Sequence, residues 1–167
     1  MIQPRSYIVP LEPLSPDAFA PFGDVATRPT GERRRYLPTM SNDADAAQTF
    51  AFWISGAAAQ AQLPLRATTL ERHPYSAQTF VPLGSARYLA VVCATAANGD
   101  PDLATLRGFL AGPEQAITYA RNVWHHPSTV LDAPMEFAVA MGVTGRGDDD
   151  VFHSLDAMVT IVMPETL

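Results

Sequence analysis

From Gln48 onward, apolar residues alternate with polar ones or gather in short runs, and Gly, Pro, Asn or Asp stands at most of the boundaries. A period of two predicts strands rather than helices. The runs place strands over Gln48–Ile54, Arg66–His73, Ala77–Leu83, Arg87–Ala94, Leu106–Ala111, Gln115–Tyr119, Ser128–Leu131, Met135–Met141 and Met158–Met163. Fifteen prolines break any long helical pattern, and the intervals are too short for a crossover helix each time. An all-β sandwich or barrel of antiparallel strands follows. One helix signal precedes it: Ser15-Pro16-Asp17-Ala18-Phe19 offers an N-cap, a proline suited to the first helical position and an acid in the first turn, with Gly23 placed to end it. An arginine-rich stretch over Gly31–Tyr36 and a loop through Asp45 separate the two regions, and Ala57–Ala61 adds at most a short helical turn.

A chain of 167 residues suits one domain spanning 1–167. With 47% hydrophobic and 17% charged residues it has enough apolar surface for a core. Eleven arginines, no lysine and a net charge of -6 leave no basic stripe, which argues against nucleic acid as a partner. The longest apolar stretches, such as Tyr88 to Ala97, fall far short of the roughly 20 residues that span a bilayer. Met1 to Pro10 lacks a secretory pattern, so the cytoplasm is the expected location. Cys93 lies in an apolar strand and reads as core.

Candidate chemistry concentrates in two places. In Thr69-Leu70-Glu71-Arg72-His73 the strand period puts Glu71 and His73 on one face and Arg72 on the other. Gln78 follows on the next run, sharing a face with Phe80. Much later, Arg121-Asn122-Val123-Trp124-His125-His126-Pro127 carries two adjacent histidines that face opposite ways if extended. Tyr119 reads as core or site wall. Arg72, Arg107 and Arg121 each have the guanidinium fork that grips a carboxylate, and Arg121 is the best placed. His153 stands in no ligand spacing and reads as structural. Asp148-Asp149-Asp150 lacks the alternating oxygens of a calcium loop and reads as a solvated turn.

These two segments resemble the two cupin motifs, with Glu71, His73 and Gln78 at the ligand positions of the first and His125 at that of the second; Glu71 stands where a typical cupin has His, and Gln78 where it has Glu. Leu70-Glu71-Arg72-His73-Pro74, Gln78-Thr79-Phe80-Val81-Pro82, Pro101 to Arg107 and Tyr119 to Pro127 further resemble the ureidoglycolate lyase family, and Ser15 to Val25 and the acidic turn also fit. The resemblance implies a cupin-type double-stranded β-helix, or jelly-roll barrel, with a few short peripheral helices. It also implies a cytoplasmic homodimer that releases urea from (S)-ureidoglycolate to give glyoxylate in allantoin (purine) degradation. A divalent metal, nickel by that resemblance, would be held by Glu71, His73, Gln78 and His125, and no organic cofactor is expected.

Expelling urea from a carbinolamide needs a base at the hydroxyl and an acid at the ureido nitrogen. His73, His125 and Glu71 are the expected catalytic groups, with or without the metal, and Arg121, Tyr119 and Gln78 the expected substrate contacts. His126 should face away from the site in a supporting role. Two other functions fit the same residues. One is a metal-dependent cupin dioxygenase or isomerase using His73, His125 and Glu71 on iron. The other is a small-ligand-binding barrel that catalyses nothing.

Overall fold

The computed structural model describes residues 5–57, 60–165 and 167. In chain order its elements are β1 (Ser6–Pro13), α1 (Pro16–Phe19), β2 (Gly23–Ala26), β3 (Thr49–Ala57), β4 (Leu65–Arg72), β5 (Gln78–Pro82) and β6 (Tyr88–Cys93). A short 3-10 turn (Leu103–Thr105) follows, then β7 (Arg107–Ala111), β8 (Ala116–Tyr119), β9 (Trp124–His125), β10 (Thr129–Val130), β11 (Met135–Val143) and β12 (Val151–Val162).

One sheet runs β10-β6-β7-β1-β12-β4-β9, and a further pairing of β9 with β6 closes six of its strands into a ring. The second sheet runs β2-β8-β5-β11-β3. This is the jelly-roll barrel that the cupin resemblance implies. Strand β6 is buried on both faces, which is why it reads as an unbroken apolar run. Its Tyr88, Ala90 and Val92 pack with Phe80, Ile117, Phe137 and Val139 of the second sheet. Leu89 and Val91 join a cluster drawn from the ring strands, including Val9, Leu11, Val159 and Ile161. Cys93 is fully buried, and desolvation pushes its thiol up to about 12, so it is core rather than nucleophile.

The nine expected strands are present with shifted ends, and β12 starts seven residues earlier than its expected Met158, because its first eight positions alternate only between half-buried and exposed and carry a weak apolar signal. Three strands escape the pattern. Pro10 and Pro13 disguise β1, yet Pro10 stands where β1 leaves β12 for β7, so the ladder tolerates it. Both pairings of β1 are parallel, which corrects the expectation of antiparallel strands throughout. Strands β2 and β9 are too short to show a period. The helix forms as expected, with the Ser15 side chain accepting from the Ala18 N–H at 3.3 Å. Gly23, expected to end the helix, instead opens β2, packed so closely that a Cβ would sit 1.8 Å from the Thr118 carbonyl oxygen. Of the proposed turn over Ala57–Ala61, Ala58 and Ala59 lie outside the described residues; Ala57 ends β3, and the Ala61 N–H donates to the Val130 carbonyl. No helix among the described residues is long and apolar enough to cross a membrane.

Candidate active site

The ring closure builds the site. Strand β9 is wedged between β4 and β6, with His125 opposite Glu71 on one side and Val92 on the other. His73 follows β4 by one residue, and its ring centroid lies 5.1 Å from that of His125. Gln78 opens β5 on the facing sheet, and its Oε1 lies 2.9 Å from His73 Nε2. The four expected ligand residues therefore meet. The best donor atoms of Glu71, His73 and His125 lie within 4.8 Å of one another.

His125 is 1% exposed, and its Nδ1–H donates to the Val123 carbonyl at 3.0 Å. That bond fixes the tautomer and leaves Nε2 as a bare lone pair, buried with no hydrogen-bond partner and 3.5 Å from Glu71 Oε1. Burial holds the His125 pKa below the usual imidazole value, with the nearby His73 adding to the effect and Glu71 opposing it. His73 differs. Burial disfavours its cation, but the carboxylate of Asp150, 2.9 Å from Nδ1, and the charge of Glu71 outweigh it, and the pKa is raised.

A lone pair and a carboxylate oxygen that face each other across 3.5 Å, with no proton donor between them, are satisfied by a cation. Ligand atoms about 2.1 Å from a common ion stand roughly 3 to 4.2 Å apart, so the three groups need little movement to share one. The donor set of two imidazoles, one carboxylate and one amide oxygen suits a borderline divalent ion. The residues fit a metal.

A cavity of about 440 Å³ opens onto Glu71, His73 and Gln78 of this cluster, walled by Trp53, Phe80, Met141 and Val143 and edged by Ser55, Ser128, Asp149 and Asp150; His125 is not among the described residues that line it. No arginine or lysine is among the described residues that line it. Arg121 Nε and Nη2 donate to the Pro74 carbonyl, and Nη2 reaches Asp43 at 3.2 Å. Arg107 is bound bidentately to Glu12. Arg72 lies over Trp124 and donates to Asn122, pointing away from Glu71 as the strand period requires. Tyr119 stands behind His125 rather than on the cavity wall. His126 binds the Pro127 carbonyl and Thr129, and His153 packs on Trp124, both apart from the cluster.

Asp150 is the site residue that the sequence reading misses. Three consecutive acids look like a solvated turn, and Asp148 is one, paired with Arg146. The available signal was positional: Asp150 immediately precedes the strand that pairs with β4, where Val151 stands opposite Arg72 and brings Asp150 beside His73.

A protein family described as ureidoglycolate lyase matches residues 6–162. A ureidoglycolate lyase of Burkholderia cepacia is 37% identical over 143 residues, which cover 79% of this chain and 78% of that protein. One of Brucella melitensis biotype 2 is 35% identical over 147 residues, covering 83% and 85%. One of Pseudomonas aeruginosa (strain PAO1) is 33% identical over 161 residues, covering 90% and 94%.

Proposed function

The chain belongs to the ureidoglycolate lyase family, and from that premise we propose that it eliminates urea from (S)-ureidoglycolate to give glyoxylate, a step of allantoin breakdown in the cytoplasm. The whole chain acts as one domain. The observation that carries the mechanism is the charge of the cavity. Glu71, Asp149 and Asp150 face it, no arginine or lysine lines it among the described residues, His73 on its wall is already paired with Asp150, and the substrate is itself a carboxylate. An anion enters such a site only against a compensating cation. The Glu71, His73, Gln78 and His125 cluster supplies the place for one, with nickel as the ion the family resemblance suggests.

A bound divalent ion would offset the substrate carboxylate and lower the pKa of the neighbouring hydroxyl. The remaining work falls to the chain. His125 presents its bare Nε2 and cannot swing, because Val123 and the Tyr119 ring hold it. Trp53, Phe80 and Met141 give the cavity an apolar wall. The reaction needs no net proton: the hydroxyl loses one as its C–O bond becomes a carbonyl, and the ureido nitrogen gains one as it takes the C–N electron pair. Glu71, a carboxylate on the cavity wall, carries that proton from oxygen to nitrogen.

A homodimer completes the proposal. Strand β3 is the outer strand of its sheet and carries no charged residue from Thr49 to Ala57. Phe50, Phe52 and Ile54 on it are 66%, 64% and 55% exposed. A long, uncharged, apolar edge is what a soluble monomer avoids.

Purified protein given ureidoglycolate should release glyoxylate and urea in equal amounts without ammonia, and Glu71→Gln should lose about 100-fold or more in kcat. Ammonia in place of urea would mean hydrolysis of the ureido group and would refute the proposal, as would oxygen uptake.

A further inference from the structure

A histidine serves as ligand or proton carrier only if its other nitrogen is pinned, since ring rotation and tautomer exchange otherwise blur the working lone pair. The two histidines of this site are pinned by different means. His125 uses a backbone carbonyl two residues away, which no side-chain substitution can remove. His73 depends on a loop from elsewhere in the chain: its Nδ1 faces Asp150 Oδ1 at 2.9 Å and, less closely, the Asp149 carbonyl at 3.3 Å.

That loop is built to hold its shape. The Thr144 N–H donates to Asp149 Oδ1 at 2.8 Å, its hydroxyl donates to Asp148 Oδ1 at 2.6 Å, and Arg146 pairs with Asp148 while lying over the Tyr75 ring. None of these contacts uses the Asp150 side chain. That side chain is 53% exposed at the cavity edge, so packing does not hold it and its removal opens no hole in the core.

We propose that Asp150 is a positioning residue. It keeps the hydrogen of His73 on Nδ1 and thereby leaves the Nε2 lone pair facing Gln78 Oε1, two acceptors 2.9 Å apart that a shared cation would satisfy. The use made of that nitrogen rests on the function proposed above, whereas the aiming is a property of the free protein. Without the carboxylate, His73 keeps one long bond to a carbonyl on Nδ1 and a shorter one, 2.9 Å, to Gln78 Oε1 on Nε2. The hydrogen of the neutral ring then moves to Nε2, where it blocks the lone pair.

Histidine-selective 15N labelling, read as two-bond proton–nitrogen spectra of metal-free protein at alkaline pH, tests this directly. Wild type and Asp150→Asn, whose amide oxygen still accepts, should carry the His73 hydrogen on Nδ1; Asp150→Ala should carry it on Nε2. Nickel affinity by calorimetry should fall by about 10- to 100-fold in Asp150→Ala and return to within a few-fold of wild type in Asp150→Asn, with Tm within about 2 °C throughout. Retention of the Nδ1 hydrogen in Asp150→Ala would overturn the inference, and so would an Asp150→Asn that behaves like Asp150→Ala. If wild type binds no nickel but the hydrogen still moves in Asp150→Ala, the positioning role stands and the metal reading of the site falls.

Discussion

Tyr119 lies flat on His125, with ring centroids 4.1 Å apart and 9° between the planes. Expected from the sequence as a substrate contact, it instead backs the one site histidine whose Nε2 has no hydrogen-bond partner. Its value is therefore the ring face rather than the hydroxyl. Tyr119→Phe should keep activity within a few-fold of wild type. Tyr119→Leu should lose about 1 kcal/mol of stacking beyond any burial change and at least several-fold in kcat, measured by denaturant unfolding and steady-state kinetics side by side.

Gly23 is required by both backbone and space. Its φ is 151°, and a Cβ there would meet the Thr118 carbonyl carbon as well as its oxygen. Gly23→Ala should cost more than about 3 kcal/mol, because backbone rather than a flexible side chain must give way. Since β2 reaches the second sheet only through β8, hydrogen exchange should show protection lost first over Val25 and Ile117.

Asp132 provides a pH signature remote from the site. It accepts from the Arg87 guanidinium through both oxygens and from the Arg87 backbone N–H, and these bonds hold its carboxyl at about 2. A depressed folded-state pKa gives stability that is present above the unfolded value, near 3.8, and is lost as pH falls through about 2. The pair is exposed, so solvent limits the contribution to about 1 kcal/mol or less. Asp132→Asn should thus be slightly less stable than wild type at pH 7, and the gap should close between about pH 4 and pH 2 in urea titrations.

Strands whose two faces differ, and the fully apolar β6, were legible because burial imposes a period or a run on the sequence. Strand β1 was not, because Pro10 stands where it changes partner and Pro13 at its end, and proline is otherwise a sign against a strand. The candidate site was legible in the residues that cluster there and not in what supports them. Glu71 and His73 share a face by local geometry, and His125 joins them through a recognisable motif. Asp150 reaches His73 from a segment far away in the chain, and the Tyr119 stack on His125 forms only because the chain turns back between β8 and β9; no strand period encodes either. The partners of Arg121, Arg107 and Arg72 were not legible for the same reason: only the fold brings Asp43, Glu12 and Asn122 near them.

The central role falls to a cation that answers the charge of an acid-lined cavity, so the decisive measurement is metal content set against turnover. Protein dialysed against chelator and shown by elemental analysis to be metal-free should release no urea above background. One equivalent of nickel per chain should restore glyoxylate and urea together, and Glu71→Ala and His125→Ala should take up no ion. Full turnover by demonstrably metal-free protein would contradict it.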